Sequence, residues 1–160
     1  MPGTDCTEIL QFVVEIHRTE MERHQKLIGN IFYWTLTIIL ALGVATIQLA
    51  GSQAWHLNLR QWPLKVTISA VSCAIALLAI AEILKRLAAY DTNARVVVRA
   101  SKLLHLFDSD TFAPRHEPLY DAAWLVWGDR NYPAHKFLPT FHAAVLLLVA
   151  AATTILAWSI

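Results

Sequence analysis

The sequence contains little glycine and little cysteine, and both shortages exclude classes of protein. Its 160 residues include 5 glycines and 2 cysteines. The glycines are scattered singly, so the chain cannot build the glycine-rich phosphate loop of a Walker or GxGxxG motif. Cys6 lies in the polar N-terminal part and Cys73 in an apolar run, and there is no CxxC pair. Neither a disulfide framework nor a cysteine zinc site is therefore expected.

Catalytic and metal-binding signatures are also absent. The sequence has no GxSxG nucleophile motif, no HExxH and no ExxH, the motifs typical of serine hydrolases, zinc proteases and di-iron bundles. His17, Glu20, Met21 and His24 fall near one face of a predicted helix, where a packed or solvated face is the favoured interpretation over a metal site. We expect no catalytic residue, no metal and no cofactor, and hence no enzyme.

The sequence is rich instead in long apolar runs, which account for most of its 56% hydrophobic content. The runs cover residues 31–50, 66–83 and 138–160. Each is close to the roughly 20 residues that cross about 30 Å of hydrocarbon. None carries the charged face that recurs every three or four residues in a soluble amphipathic helix. This pattern predicts an all-α integral membrane protein with three transmembrane helices.

The distribution of Lys and Arg predicts the orientation of these spans, because cations beside a span tend to stay cytoplasmic. Most cations precede the first run or lie between the second and third. We expect a cytosolic amphipathic helix (1–28), a transmembrane hairpin (29–84, with spans 31–50 and 64–84), a cytosolic helical region (85–137) and a third span (138–160). No cleavable signal peptide precedes the first span. The N-terminus is expected in the cytoplasm and the C-terminus outside, with interfacial aromatic anchors at Phe32, Tyr33, Trp34, Trp55, Trp62 and Trp158.

Two helical stretches are predicted outside the membrane. The first covers residues 8–27 and carries an apolar stripe that needs either a protein partner or the membrane surface, of which the protein is favoured. The stripe consists of Ile9, Phe12, Val13 and Ile16. The second continues span two to about Leu106, because no Gly or Pro interrupts residues 64–113. Its own apolar stripe is expected to pack against the first helix, the following segment or other copies of the chain. The later segment around Trp124 and Trp127 is interpreted as a short helix ending near Gly128, serving as a membrane-surface plug, a small core or a base-stacking surface.

A stripe of cations on the extension of span two is the candidate ligand site. Arg95, Arg99 and Lys102 are spaced by four and three residues, which places them along about two helical turns. Arginine suits bidentate contact with phosphate. Further cations that converge on the same side are Arg86, Arg115 and Arg130. The alternative is that these residues pair with nearby carboxylates or simply form the positive cytoplasmic flank.

A second group of residues is predicted to line a pore or to pack helices. Ser69, Ser72, Ala76 and Ala79 run down one side of span two, which is the small-residue surface found where membrane helices approach closely. Glu82 is the only carboxylate close to the hydrocarbon, and Thr153 is one of the few polar residues of span three. So few charges do not describe a solute transporter. A homo-oligomer lining a narrow path is favoured.

The layout of the chain resembles that of the SLATT-type small bacterial membrane proteins. The resemblance covers roughly residues 8–110 and rests on an N-terminal helix, two closely spaced spans, and a second span that continues as EILKRLAAYDTNARVVVRASKLLHLF. It implies a pore-forming effector of antiviral defence, located in the inner membrane of a bacterial cell, that works beside a nucleotidyltransferase. It also implies a nucleotide or oligonucleotide ligand at Arg95, Arg99 and Lys102. The third span has no counterpart in the two-span pattern.

Two classes of function therefore remain open from the sequence. The first is a homo-oligomeric ion channel gated by a cytosolic phosphate-bearing ligand, which must bind the open and closed states with different affinities. The second is a membrane anchor or scaffold that recruits a cytosolic enzyme. A holin-like lysis protein is a third interpretation, although about 80 residues outside the membrane are many for that class.

Overall fold

The computed structural model describes residues 3–50, 61–106, 125 and 133–159, with side chains over 7–49, 62–106, 125 and 137–159. These ranges form three helices, α1 (Gly3–Ala50), α2 (Gln61–Leu103) and α3 (Pro133–Ser159), of 48, 43 and 27 residues. All three are long and apolar enough to cross a membrane. Over the described ranges, the prediction of an all-helical protein with three apolar helices is confirmed.

Two helix boundaries differ from the sequence prediction. The N-terminal helix and the first span form one continuous helix, α1, with Gly29 in its interior. A single glycine costs a helix only about 1 kcal/mol relative to alanine, so the good helix formers on both sides carry the helix through it. Helix α2 ends at Leu103 instead of Leu106.

A hydrogen-bonded turn with a left-handed residue ends α2. His105 has φ of 57°, and its N–H donates to the carbonyl of Lys102 at 3.1 Å, while the N–H of Leu106 donates to the carbonyl of Ser101 at 3.2 Å. This pair of bonds is a Schellman motif, in which glycine usually occupies the left-handed position. A histidine there is strained because its Cβ crowds the following carbonyl oxygen. The motif satisfies two carbonyls that the helix would otherwise leave unpaired.

The chain divides into two compact units. Unit 1 contains Met1–Leu27 and Arg86–Lys136, and unit 2 contains Ile28–Lys85 and Phe137–Ile160. Each unit has its own packing.

In unit 1, the first part of α1 packs against the last part of α2. Met21, Ala94 and Val97 form a buried cluster, and the partly buried Val14 and Tyr90 pack against it. Val14 and Met21 of α1 are seven residues apart, so two turns of α1 contact α2 along the same side of the helix. This small core holds the two helices together.

The apolar stripe predicted on the N-terminal helix is not the face that packs against α2. Ile9 and Phe12 are both 62% exposed and Ile16 is 43% exposed. A polar bond completes the packed face instead, since His17 Nδ1 lies 2.8 Å from Asn93 Oδ1 across the two helices. Helix α1 therefore has one face in the core of unit 1 and a second apolar face turned away from it.

In unit 2, the buried positions of each helix recur at intervals of three, four or seven residues. They are Ile28, Phe32, Thr35, Ile39 and Thr46 on α1; Ile68, Ser72, Ala76, Ala79 and Ile83 on α2; and His142, Leu146, Ala150, Thr153 and Ala157 on α3. This spacing is typical of side chains that interlock between helices crossing at a small angle.

Three contacts give the direction of the helices in unit 2. Phe32 of α1 stacks on His142 of α3, and Gly43 of α1 lies opposite Thr153 of α3, where a Cβ on the glycine would be 3.6 Å from the Thr153 Oγ1. Both partners advance by eleven residues between these contacts, so α1 and α3 run parallel. Near the end of α3, Trp158 contacts the start of α2 at Ser69, so α2 is antiparallel to α3.

The outer surface of unit 2 is apolar on all three helices. Large exposed side chains include Leu40, Val44, Ile47, Leu77, Leu78, Leu148 and Ile155, each more than half exposed. Such a surface is unfavourable in water and costs nothing against acyl chains. Among the expected interfacial aromatics, Tyr33, Trp34, Trp62 and Trp158 are exposed. Phe32 is buried at 7% exposure, so its assignment as an anchor is wrong; Trp55 lies outside the described residues.

Candidate functional site

Three of the six cations predicted to bind phosphate lie together on an exposed face of α2 in unit 1. Arg95, Arg99 and Lys102, called here the cationic stripe, are all exposed. Their spacing keeps them on one side of the helix over about two turns. The buried residues Ala94 and Val97 lie on the side that packs against α1. Packing of that side therefore directs the cationic stripe away from the core of unit 1.

The three cations differ in how they are held. Arg95 Nε donates to the carbonyl of Asp91 at 3.2 Å, and its Nη2 donates to Thr92 Oγ1 at 3.5 Å. Both bonds fold the guanidinium back along its own helix. Arg99 and Lys102 make no hydrogen bond or ion pair within the described part of the chain. Unpaired guanidinium and ammonium groups are donors available to an anion such as phosphate.

The position of Lys102 has a local explanation as well. It lies in the last turn of α2, where the partial negative charge of the helix C-terminus favours a cation. Arg95 and Arg99 stand further back in the helix, beyond the turn over which this effect acts. Of these two, only Arg99 is not bonded to its own helix, so it carries most of the case for an external anion.

The structure does not bring Arg86 into the cationic stripe. Arg86 is half-buried and lies nine residues before Arg95 on α2. Nine residues are two and a half turns, so the two side chains leave the helix on opposite sides. Arg115 and Arg130 lie outside the described residues, as does the segment around Trp124 and Trp127. The stripe that the structure assembles consists of three cations.

Four of the six residues predicted to line a pore or pack helices are buried inside unit 2. Ser72 and Ala76 are fully buried, Ala79 is 7% exposed and Thr153 is 5% exposed. These are positions of close helix packing within one chain. In the state described here, their side chains are covered by neighbouring helices instead of facing an open channel.

The other two residues of that set lie at the edges of the packing. Ser69 is half-buried, and its Oγ accepts a hydrogen bond from Trp158 Nε1 at 3.2 Å. Glu82 forms an ion pair with Lys85 one turn later, at 3.8 Å between the Glu82 Oε2 and the Lys85 Nζ. An ion pair between residues three apart on a helix surface contributes only a few tenths of a kcal/mol to the stability of the helix.

Five buried polar side chains run through unit 2, and we call them the polar seam. They are Thr35, Thr46, Ser72, His142 and Thr153. Two of them are satisfied by their own helices, since Thr46 Oγ1 donates to the carbonyl of Leu42 at 2.8 Å and Thr153 Oγ1 donates to that of Val149 at 3.0 Å. Among the residues that the structure describes, Ser72 Oγ and His142 Nδ1 are buried and have no hydrogen-bond partner. A buried polar atom left unpaired costs about 1–3 kcal/mol.

His142 and Phe32 form the aromatic part of the polar seam. Their ring centroids are 4.1 Å apart with an angle of 20° between the ring planes. Sequence reasoning noted the polar residues of the spans without selecting His142, Thr35 or Thr46 as site residues. No periodic signal in the sequence groups them, because the spans are apolar on every side.

The histidines of the described helices do not form a metal site. Among the residues that the structure describes, no group of three or more His, Cys, Asp or Glu side chains could hold a metal ion. His17, the first residue of the cluster weighed above, bonds to Asn93, and Met21 of the same cluster is part of the buried core of unit 1. This face of α1 is used for packing.

No protein-family model, no curated protein and no solved structure matches this chain. The class of the protein therefore follows from its own architecture. Three long apolar helices, with an apolar outer surface around their packed part, define an all-helical, multi-pass membrane protein.

Proposed function

We propose that this chain is a homo-oligomeric membrane pore, gated by a phosphate-bearing ligand that binds the cationic stripe of unit 1. The observation that carries the proposal is the polar seam of unit 2. Ser72 and His142 hold unpaired polar atoms among helices long and apolar enough to cross a membrane. Polar groups in such helices are costly and usually face a partner helix or a water-filled path.

The unpaired atoms supply a reason for a second, hydrated state. Closed packing leaves Ser72 Oγ and His142 Nδ1 without partners, and water entering between the helices would hydrogen-bond to both. The free energy lost in helix packing is offset in part by these new bonds. A difference of a few kcal/mol between the two states is small enough for a ligand to shift.

The ligand side of the proposal rests on the cationic stripe. Arg95, Arg99 and Lys102 are exposed on one face of α2, and α2 also contributes Ser72 to the polar seam. A nucleotide or oligonucleotide presents several phosphate oxygens that match adjacent guanidinium groups. The resemblance to SLATT-type proteins adds the proposals that the ligand is made by a partner nucleotidyltransferase and that the pore acts in bacterial antiviral defence. We place unit 1 in the cytoplasm of a bacterial cell, with the N-terminus inside and the C-terminus outside.

Ion flux through vesicles tests this function. The purified protein is reconstituted into vesicles that contain an ion-sensitive dye, and ATP, inorganic tripolyphosphate or a short oligonucleotide is added from outside. We expect at least one of these probes to change the flux. The variant R95E/R99E should abolish the response, whereas R18E, which reverses an exposed cation on α1, should retain it. Vesicles that stay ion-tight under all conditions would contradict the pore.

A second candidate function is favoured by one observation. Ile9, Phe12 and Ile16 form an exposed apolar face on α1 of unit 1, and such a face is typical of a protein-docking surface. A membrane scaffold that recruits a cytosolic enzyme would use it. This function predicts no flux and a stoichiometric complex with that enzyme after purification from the native membrane.

A further inference from the structure

We infer that unit 1 contains a head-to-tail interface between copies of this chain, in which an acidic face of α1 pairs with the cationic stripe of the neighbouring α2. The inference rests on the proposed function in requiring a homo-oligomer, and it makes the acidic face and the phosphate-bearing ligand competitors for the cationic stripe, so that ligand binding releases this contact between copies. It names the surfaces that join the copies, which neither the sequence nor the pore proposal assigns.

The acidic face lies on α1 beside its exposed apolar residues. Glu8 and Glu15 are exposed and seven residues apart, so they stand on the same side of the helix two turns apart. Neither makes an ion pair within the described residues. Phe12 lies between them and is 62% exposed. This face offers two carboxylates with an aromatic ring between them.

The cationic stripe has the same spacing with the opposite charge. Arg95 and Lys102 are also seven residues apart, and Arg99 lies between them. Both faces therefore present two outer charges around a central residue over two helical turns. Arg99 faces the position that corresponds to Phe12, and a guanidinium stacks favourably on an aromatic ring.

The packing within one chain places the two faces at matching levels. The bond between His17 and Asn93 sets the antiparallel register of α1 and α2 in unit 1. Glu15 precedes His17 by two residues and Arg95 follows Asn93 by two residues. Copies related by rotation about an axis parallel to these helices share the same levels, so Glu15 of one copy meets Arg95 of the next.

The outer pair follows the same rule. Glu8 precedes His17 by nine residues, and Lys102 follows Asn93 by nine residues. Both charge pairs are therefore satisfied by one register, without any shift between the copies. When two helices pack antiparallel, oppositely charged side chains at the same level lie opposite each other along the contact.

The two faces point away from the contact between α1 and α2 inside one chain. With about 100° of rotation per residue, each face lies roughly 130° or more around its helix from the packed seam. Because the acidic face and the cationic stripe are different surfaces, the contact is heterologous. Each copy uses its acidic face for one neighbour and its cationic stripe for the other. Such contacts close into a ring when the rotation between copies allows it. A self-pairing of the α1 faces would bring carboxylates together and is disfavoured.

Thiol cross-linking in native membranes tests this interface. In a background with Cys6→Ser and Cys73→Ser, we introduce Glu15→Cys with Arg95→Cys and treat the membranes with a short bifunctional thiol reagent. We expect a ladder of dimers, trimers and larger products. The control pair Gln11→Cys with Arg99→Cys lies at one level, six residues from the His17–Asn93 bond, but Gln11 lies on the flank of the acidic face opposite to Phe12, about 100° around the helix from it, and should give a weaker ladder.

Three results would overturn the inference: products that stop at the dimer, cross-linking only within one chain, and equal ladders from the control pair. Charge reversal supplies a second readout by the mass of the purified oligomer. E15R alone and R95E alone should each lower the oligomeric fraction severalfold, and the double variant should restore it. Glu22 lies on the same side of α1, but the residue at its level on α2 is the uncharged Ala88. E22R should therefore change the oligomeric fraction little.

The outcomes also separate this interface from the pore. Loss of the ladder with retained ion flux would reject the interface and leave the proposed function standing. A ladder of the expected kind without flux under any condition would support the interface and reject the pore.

Discussion

Two fully buried hydroxyl residues of unit 2 should respond to removal of the hydroxyl with opposite signs. Ser72 and Thr46 both have 0% exposure. Ser72 Oγ has no hydrogen-bond partner, whereas Thr46 Oγ1 donates to the carbonyl of Leu42 at 2.8 Å. Ser72→Ala therefore removes an unpaired polar atom and leaves only a small void. Thr46→Val keeps the shape of the side chain and loses a bond that exists.

The magnitudes follow from the cost of each group. An unpaired buried hydroxyl costs about 1–3 kcal/mol, so Ser72→Ala should raise the free energy of unfolding by about 1 kcal/mol or more. The hydrogen bond of Thr46 contributes about 0.5–1.5 kcal/mol, and Thr46→Val should lower the free energy of unfolding by that amount. Both variants are compared with the unmodified protein by equilibrium unfolding in mixed detergent micelles, followed by circular dichroism.

The proposed pore adds a functional consequence to the first variant. If hydration of Ser72 helps to stabilise the open state, Ser72→Ala should lower ion flux while it raises stability. Equal destabilisation by Ser72→Ala and Thr46→Val would refute the reasoning, because it would mean that the Ser72 hydroxyl has a partner in the folded protein.

Three further predictions concern single contacts. His17→Leu leaves Asn93 unpaired and should lower the free energy of unfolding by about 1–3 kcal/mol. In a double-mutant cycle, the double variant with Asn93→Leu should recover part of this loss, and additive effects would contradict the bond. His105→Gly should raise the free energy of unfolding by about 1 kcal/mol because glycine adopts the left-handed conformation without strain, whereas His105→Val should lower it, both measured by thermal melting in detergent. Gly43→Leu should destabilise unit 2 by about 1–3 kcal/mol through overpacking, whereas the control Gly29→Leu should be tolerated because a Cβ there meets no atom within 4 Å. Equal effects of the two variants in the same melting assay would argue against the close contact between α1 and α3.

The cationic stripe shows how much of the candidate site could be predicted. The spacing of Arg95, Arg99 and Lys102 is enough to place them on one side of a helix, and the structure leaves all three exposed. Helical periodicity also separates Arg86 from them, because nine residues correspond to two and a half turns. The sequence prediction grouped Arg86 with the stripe by its charge, without considering its position around the helix.

The residues of the polar seam were harder to predict. Ser69 and Ser72 lie three residues apart in the same apolar run, yet Ser72 is fully buried and Ser69 is half-buried beside Trp158. In a span that is apolar on every side, periodicity gives no signal for the face that packs. The face is selected by the shapes of the two other helices, which are distant in sequence.

The sequence by itself determined the class of this protein. Runs of apolar residues near 20 in length form helices in lipid because every backbone hydrogen bond must be satisfied within the segment. This requirement is local, so composition and length are sufficient to predict it. The three helices of the structure agree with it.

Only the tertiary structure decided which faces of these helices pack. On α1, the exposed Phe12 and the buried Met21 are equally acceptable core residues by composition. Which of the two is buried depends on Asn93 and Ala94 of α2, more than 70 residues away in the chain. Burial depends on complementary shape and hydrogen bonding between two surfaces, and one segment read alone contains only one of them.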